Sequence, residues 1–296
     1  MTRFALFACA LVVACKDEPK TTAVLDAAAS TPPSATAPAS AASSHLAAMP
    51  LPPPRATGCT FLAVAGDVKA GPENQLPKVP EPANDVTVTF GADAKLTVRD
   101  RASGRESTLL GAGSARLCVG GDTEHWLFGG TFASSAFTGA TPGSGDWVVV
   151  PGAIVRINAS TARVKVTGDK TEVTVVGGSA AIFPVGAILA DGGAPDAQGW
   201  WHVPSGATWT FVEPPARNKA DLVVQCDRQA SLARDLGAQI AMADAGIGDL
   251  APKHIAARER ARALCAQARF HAVGDKALGP RADAADARWR VIVAPP

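Results

Sequence analysis

The stretch ARVKVTGDKTEVTVV, residues 162–176, carries the pattern that decides the fold. On both sides of Gly168 and Asp169, apolar side chains alternate with polar ones. An alternation with a period of two is typical of a strand that buries one face, and a Gly-Asp turn between two such strands favours a tight hairpin. The stretch therefore predicts a pair of antiparallel strands.

Short segments of the same kind occur on either side of this hairpin. The other candidate strands are DVTVTF (85–90), AKLTVRD (94–100), SARLCV (114–119), HWLFGGTF (125–132), DWVVV (146–150) and AIVRIN (153–158). Clusters of Gly, Asp and Pro separate them, and such clusters favour turns. Many short strands with little helical period predict a mainly β fold over residues 57–215, either a sandwich or a solenoid-like stack.

The order of these segments resembles that of the FecR protein domain. The resemblance rests on VTVTFGADAKLTV (86–98), WLFGG (126–130), WVVVPGAIVRI (147–157), TEVTVVGGSAAI (171–182) and VPSGATWTF (203–211). It implies an exported β module that works by contact with other proteins. The name-giving members also carry an anti-sigma segment and a transmembrane helix. We find no counterpart of either in this sequence, so the resemblance does not imply the regulatory role as a whole.

The first residues have the pattern of an export signal. Arg3 precedes an apolar run from Phe4 to Ala14, which is too short to span a membrane but has the size of a signal-peptide core. We therefore expect residues 1–14 to be a signal peptide that is cleaved between Ala14 and Cys15.

The end of this run indicates a lipid anchor. Leu11-Val12-Val13-Ala14 before Cys15 resembles the lipobox of bacterial lipoproteins, which implies acylation of Cys15. The alternative is a plain secretory signal with an incidental cysteine. In enteric bacteria, an Asp directly after the acylated Cys favours retention in the inner membrane. Lys16 stands at this position here, which favours the outer membrane. Residues 15–56 are rich in Ala, Pro, Ser and Thr, which predicts a disordered tether between the lipid and the folded body.

Four cysteines remain for the folded body, namely Cys59, Cys118, Cys226 and Cys265. An even number in an exported chain favours disulfides, and four cysteines allow three pairings. Cys59 and Cys118 fall in the predicted β region, and Cys226 and Cys265 fall in the region after it. We expect pairing within each region, with two buried free thiols as the alternative for Cys59 and Cys118.

The sequence period changes to three and four residues in the last part of the chain, 216–296. This change predicts two amphipathic helices, within 218–244 and 252–273, separated by AGIGDLAP. The break indicates an antiparallel hairpin. Cys226 and Cys265 lie at nearly equal distances from its midpoint near residue 245, so they would face each other across it. ARWRVIVAPP (287–296) predicts a C-terminal strand.

The second predicted helix carries a set of basic side chains against Glu259, namely Lys253, His254, Arg258, Arg260, Arg262 and Arg269. They predict either an ordinary solvated helix face or a basic surface for an acidic partner or for anionic groups of the envelope.

No group of residues has the spacing of a catalytic or metal site. The histidines are scattered, the cysteines form no CxxC pair, and the Gly-Ser-Gly of TPGSGDW (141–147) fits a turn better than a nucleophile elbow. We therefore expect no enzyme, no cofactor and no metal. The formal charge of +1 argues against nucleic-acid binding.

The segment DGGAPDAQGWWH (191–202) allows more than one interpretation. It fits a loop before a hairpin with one Trp packed inside, a calcium loop, or an aromatic sugar platform. In the last case Trp200, Trp201 and Trp209 would bind glycan. The sequence thus supports two functions: a lipid-anchored envelope protein that binds another envelope protein through a FecR-like module, and, as the alternative, a module for glycan or peptidoglycan.

Overall fold

The computed structural model describes residues 58–101, 103–121, 123–135, 145–158, 160–189, 193–213, 218–242 and 248–291. These residues belong to one compact unit, Pro53–Pro296. The predicted signal peptide, the cleavage site at Ala14 and Cys15, and the tether lie outside the described residues.

The chain forms strands first and helices last. The strands are β1 (Cys59–Ala65), β2 (Val68–Ala70), β3 (Glu81–Ala83), β4 (Val86–Phe90), β5 (Lys95–Asp100), β6 (Glu106–Leu117), β7 (Glu124–Ser134), β8 (Gly145–Val150), β9 (Ala153–Asn158), β10 (Thr161–Thr167), β11 (Lys170–Gly177), β12 (Ala180–Pro184), β13 (Ile188–Leu189), β14 (Trp201–Val203) and β15 (Thr208–Val212). The helices are α1 (Lys219–Met242), α2 (Leu250–His271) and α3 (Gly279–Val291). The prediction of a mainly β fold is confirmed.

The strands form two sheets that share β6 and β7. What we call the outer sheet has the order β13-β15-β11-β10-β7-β6-β5-β1-β3. What we call the middle sheet has the order β2-β4-β6-β7-β8-β9-β12-β14. All pairs are antiparallel except β7 with β8, which are parallel.

Glycines allow β6 and β7 to pass from one sheet to the other. The β6–β7 register shifts between Leu110 and Ser114. A Cβ atom on Gly113 would overlap the carbonyl group of Gly129, and Gly130 has a φ of +91° beside the Phe90 ring. Side chains are therefore excluded at the point where the two strands approach most closely.

The two sheets face each other across a central core. Its large side chains include Leu96, Leu109, Phe132 and Phe211 from the outer sheet and Leu117, Ile157 and Ile182 from the middle sheet. Each large side chain that becomes fully buried contributes about 1.5–3 kcal/mol. The strands therefore form a sandwich rather than a solenoid-like stack.

The middle sheet is buried on both faces along β8, β9 and β12. On β8, Val148 and Val150 point into the central core, whereas Trp147 and Val149 point into a second core under the helices. This explains the uninterrupted apolar run of WVVV (147–150), because a strand covered on both sides needs no polar face. The helices, which the sequence placed in a region of their own, thus share a core with the sheet.

The predicted helical hairpin is confirmed, and so is its disulfide. Cys226 of α1 and Cys265 of α2 are bonded, with Cα atoms 4.7 Å apart. Gly237 faces His254 in the same hairpin. Both pairs are centred on the same point of the sequence, as antiparallel helices require.

The prediction of a C-terminal strand is wrong for residues 287–291, because they belong to the helix α3, Gly279–Val291. Ala282 and Ala285 are fully buried in the second core, where their small side chains let α3 approach the other helices. Buried Asp286 pairs with Arg269 of α2 at 3.1 Å. These contacts hold α3 against the other helices; residues 292–296 lie outside the described residues.

Two polar contacts fix α2 on the sheets. Gln267 is fully buried, and its Nε2 donates to the carbonyl oxygens of Val150 and Ala153, both at 2.7 Å. His271 Nε2 lies 3.0 Å from Glu213 Oε1, just after β15. Within the described residues, no helix is both long and apolar enough to span a membrane.

Candidate functional site

Trp200 is not part of a surface platform. Its side chain is 2% exposed. The ring meets the rings of Trp147 and Phe183 edge to face, with centroids 5.5 Å and 5.3 Å away, and the guanidinium of Arg156 lies 4.7 Å from its centroid. Of the interpretations offered for residues 191–202, the one with a Trp packed inside a loop describes this residue. The assignment of Trp200 to glycan binding was wrong because exposure cannot be read from a pair of adjacent tryptophans.

Trp201 and Trp209 are partly buried against the edge of the central core. Their ring centroids are 6.5 Å apart and their planes meet at 71°. Two rings in this edge-to-face arrangement do not present one flat aromatic surface, which is what stacking on a sugar ring needs.

Asp196 organises the loop before β14. Its Oδ1 accepts the N–H groups of Gln198 and Trp200, each at 2.9 Å, and its Oδ2 lies 2.8 Å from His202 Nε2. Burial alone would raise the pKa of Asp196, but these hydrogen bonds hold it below its ordinary value. Both oxygens are therefore engaged with protein groups, which leaves this carboxylate poorly placed to bind calcium.

Two members of the predicted basic helix face point inward instead. The guanidinium of Arg262 lies 3.4 Å from the centroid of the Trp147 ring. Arg269 lies 5.1 Å from the centroid of Trp126 and pairs with Asp283 at 2.9 Å. Neither interpretation of the basic residues, a solvated helix face or a surface for an acidic partner, therefore describes these two. Each instead stacks on an aromatic ring of the middle sheet, an interaction for which a guanidinium is well suited.

A cleft of about 450 Å³ lies beside Arg269, between the middle sheet and the segment that joins α2 to α3. Arg116 and Arg269 enclose the Trp126 ring from two sides of this cleft. Arg116 binds both carboxylate oxygens of Asp85, and Arg269 binds Asp283. Both guanidinium groups are therefore already paired, and Lys276 is a further cation among the residues that line the cleft.

A buried ion pair that no sequence pattern indicated joins Arg105, the residue before β6, to Asp146 of β8. Arg105 Nε lies 3.1 Å from Asp146 Oδ2, and both side chains are at most 2% exposed. Ser134 Oγ donates to the same Asp146 oxygen at 2.7 Å. The Arg105 Nη groups donate to the carbonyls of Ile157 and Ser160. All three nitrogens of this guanidinium thus have partners within the protein, which fits a structural role.

Cys59 meets two residues from a distant part of the sequence, Cys118 and His125, between β1, β6 and β7. Cys59 opens β1, Cys118 comes directly after β6, and His125 lies in β7. The structure bonds Cys59 to Cys118, with Cα atoms 5.9 Å apart. A ring nitrogen of His125 and both sulfurs lie within 4.8 Å of one another. Sequence spacing could not reveal this cluster because each residue comes from a different strand or strand end.

The His125 ring is enclosed by this cluster. Its Nδ1 accepts the N–H of Cys118 at 3.4 Å, and its ring lies 5.1 Å from that of Phe132. Burial lowers the pKa of His125 below its usual value, although the charges of Asp146 and Asp100 oppose this. The imidazole is therefore held neutral, which is the form that can accept a hydrogen bond or bind a metal.

The outer sheet has a broad face that the helices do not cover. Exposed on it are Arg163 and Lys165 of β10 and Lys95 of β5. Lys165 lies opposite Glu172 in the β10–β11 pair, and its charge helps to lower the pKa of that carboxyl. Threonines surround these cations, and two cross-strand pairs, Thr97 with Thr108 and Thr174 with Thr208, bring their hydroxyl oxygens to 3.4 Å and 3.0 Å. We call this surface the basic sheet face.

The carboxylates on the basic sheet face already have partners. Glu106 pairs with Arg99, and Glu172 pairs with Lys170 at 2.7 Å. The hydrogen bond and charge of Lys170 hold the pKa of Glu172 below its ordinary value. After these pairs are formed, the remaining charge on the face is positive.

No protein-family model matches the chain, and no curated protein matches it.

Proposed function

We propose that this protein is a lipid-anchored envelope protein whose body is a FecR-like module that binds an acidic surface of another envelope protein. The basic sheet face carries the proposal. It is wide and solvent-facing, and its exposed cations Lys95, Arg163 and Lys165 favour a partner with acidic groups. Lys165 faces Glu172 across the β10–β11 pair, but Glu172 already pairs with Lys170. The threonine hydroxyls between these cations can donate and accept hydrogen bonds at such an interface.

The anchor supports the choice of an envelope partner. Acylation of Cys15 would hold the body near the membrane through residues 15–56, because more than one acyl chain gives a stable attachment. The Lys16 position favours the outer membrane. A tether of this composition lets the body turn and reach over the lipid surface.

The first experiment tests the partner surface. A tagged full-length chain is crosslinked in its own cells, and the captured proteins are quantified by mass spectrometry. The double variant R163E/K165E should capture at least tenfold less of an envelope protein than the wild type captures. The matched control K253E/R260E makes the same charge change on α2, where the wild-type side chains face solvent, and should keep it. Capture that is unchanged in R163E/K165E would overturn the proposal.

A separate double variant, W201A/W209A, tests the glycan alternative. Purified wild type and variant are assayed on peptidoglycan and on envelope polysaccharide. If the wild type binds, the variant does not, and no envelope protein is captured by crosslinking, the alternative is established instead. Trp200 is left unchanged in this test because its replacement would open a cavity in the second core.

The second experiment tests the anchor independently of the partner. The variant C15S should leave the protein unprocessed by the lipoprotein pathway and should move it out of the detergent phase. Unchanged processing and membrane fractionation would remove the lipid anchor from the proposal.

A further inference from the structure

The cluster of Cys59, Cys118 and His125 contains the donor atoms of a transition-metal site. Two thiolates and an imidazole are three of the four ligands that Zn²⁺ binds in tetrahedral structural sites. With Zn–S bonds of about 2.3 Å, tetrahedral geometry separates these donors by about 3.6–3.8 Å. The three donor atoms already lie within 4.8 Å of one another, so small side-chain rotations suffice once the sulfurs are not bonded.

The candidate for the fourth donor is a buried carboxylate that lies outside this group of three. Asp100 lies directly opposite Cys59 in the β1–β5 pair, and both side chains are buried on the inner face. Residues opposite each other in an antiparallel pair have Cβ atoms about 4.5–5.5 Å apart. Asp100 Oδ1 accepts the N–H of Ser103. Its Oδ2 is buried and has no hydrogen-bond partner among the described residues, and such a group is costly unless a cation lies beside it.

The backbone at Cys118 is held in an unusual conformation. Its φ is +54°, a region that a residue with a Cβ rarely adopts. Its carbonyl oxygen accepts the N–H of Asp85 at 3.3 Å, and its own N–H donates to His125. Strained residues of this kind are concentrated at functional sites, where their surroundings determine the conformation.

We propose that the thiol form of this cluster binds a thiophilic metal ion, with Zn²⁺ as the best match, through Cys59, Cys118, His125 and Asp100. The metal and the disulfide are then alternative states of the same two sulfurs. A dithiol reductant supplies two electrons and two protons, so that the S–S bond breaks, two thiols form and the dithiol itself becomes a disulfide. Zn²⁺ next displaces the two thiol protons, and two Zn–S bonds form.

The experiment isolates this pair of cysteines in the full chain. Cys9, Cys15, Cys226 and Cys265 are replaced by Ser, so that Cys59 and Cys118 are the remaining thiols. The chain is reduced in denaturant and refolded with Zn²⁺ or with Co²⁺, whose absorption reports thiolate ligation. Metal content is measured after gel filtration, and the fold is followed by circular dichroism. We expect one metal ion per chain and a thiolate-to-cobalt absorption band.

Two further variants in this background test the other ligands. H125Q should weaken cobalt binding at least tenfold, and D100N should weaken it while changing the cobalt spectrum, because one oxygen ligand is altered. The replacement of both Cys59 and Cys118 should abolish the band. Metal binding that is unaffected by H125Q, or that survives without the two cysteines, would overturn the proposal.

Folding itself provides the remaining outcome. If the reduced chain folds with Zn²⁺ but not without it, metal binding and folding are coupled, as in other structural zinc sites, and the proposal is supported. If the reduced chain folds in neither condition, the metal cannot replace the disulfide and the proposal fails. The other pair, Cys226 and Cys265, serves as a control, because the described residues place no histidine with them as a metal-binding group. A chain with this pair alone should bind no metal.

Discussion

The guanidinium of Arg262 lies 3.4 Å from the centroid of the Trp147 ring. Arg262 belongs to α2 and Trp147 to β8, so this contact joins the helices to the middle sheet. Charged side chains on an amphipathic helix are expected to face water, and this one instead forms part of the interface between helix and sheet.

The variant R262A should lower the free energy of unfolding by about 1–2 kcal/mol, because it removes a partly desolvated cation–π contact and the packing of the side-chain stem. The measurement is equilibrium unfolding in urea. R260A on the same helix is the control, since Arg260 is exposed and its replacement should change the value by less than about 0.5 kcal/mol. Equal effects of the two variants would show that the contact contributes nothing.

The variant D146A should destabilise the fold by about 3–5 kcal/mol, because it leaves the Arg105 guanidinium buried without its counter-ion. Urea unfolding again gives the value. The neighbouring pair of Arg99 and Glu106 is half exposed, so E106Q should cost less than about 1 kcal/mol. If D146A lowered the free energy of unfolding by no more than E106Q does, the structural role of the pair of Arg105 and Asp146 would be refuted.

The stability of the helical hairpin should depend on pH through His254. Burial lowers its pKa below 6.5, and the charge of Arg258 lowers it further. As the pH falls below 6.5, the unfolded chain therefore binds the proton first, and the free energy of unfolding decreases. His125, whose pKa is also lowered, acts in the same direction.

The measurement compares unfolding of the wild type and H254Q between about pH 7.5 and pH 5. The variant should show a smaller loss of stability over this range, and the two proteins should converge in slope above pH 7. If the free energy of unfolding of wild type and H254Q depended on pH with the same slope at every pH, His254 would have the same pKa in the folded and the unfolded chain.

The disulfide of the hairpin should contribute up to about 4 kcal/mol, since it closes a loop with a sequence separation of 39 residues. The double variant C226S/C265S should lower the unfolding midpoint accordingly. It should leave the far-ultraviolet circular dichroism of the native state unchanged. Non-reducing peptide mapping of the wild type should recover the peptide that joins Cys226 to Cys265; a peptide that joins Cys59 to Cys226 would contradict the structure.

Local patterns predicted the two hairpins, one of strands and one of helices. The hairpin of β10 and β11 was predictable because Gly168 and Asp169 separate two alternating segments, and the observed register pairs Thr167 with Lys170 across them. The helical hairpin was predictable because the small and apolar residues recur at helical spacing and the two cysteines are symmetric about the break.

The long-range arrangement was less accessible. The run DWVVV indicated a strand but not that helices cover its second face, which depends on residues about 110 positions later. Arg262 and Arg269 were expected to face solvent, because the charge of a side chain does not show whether it points toward water or toward a neighbouring sheet. Cys59, Cys118 and His125 lie in separate elements, and β-sheet order, which local sequence does not specify, brings them together.

The double burial of the middle sheet has a practical consequence for anyone who divides this chain. A version that stops after β15 would keep all fifteen strands yet leave Trp126, Trp147, Phe183 and Trp200 without their cover. Such an aromatic surface would drive the molecules to associate with one another. The shortest fragment worth producing as a monomer therefore continues through α3.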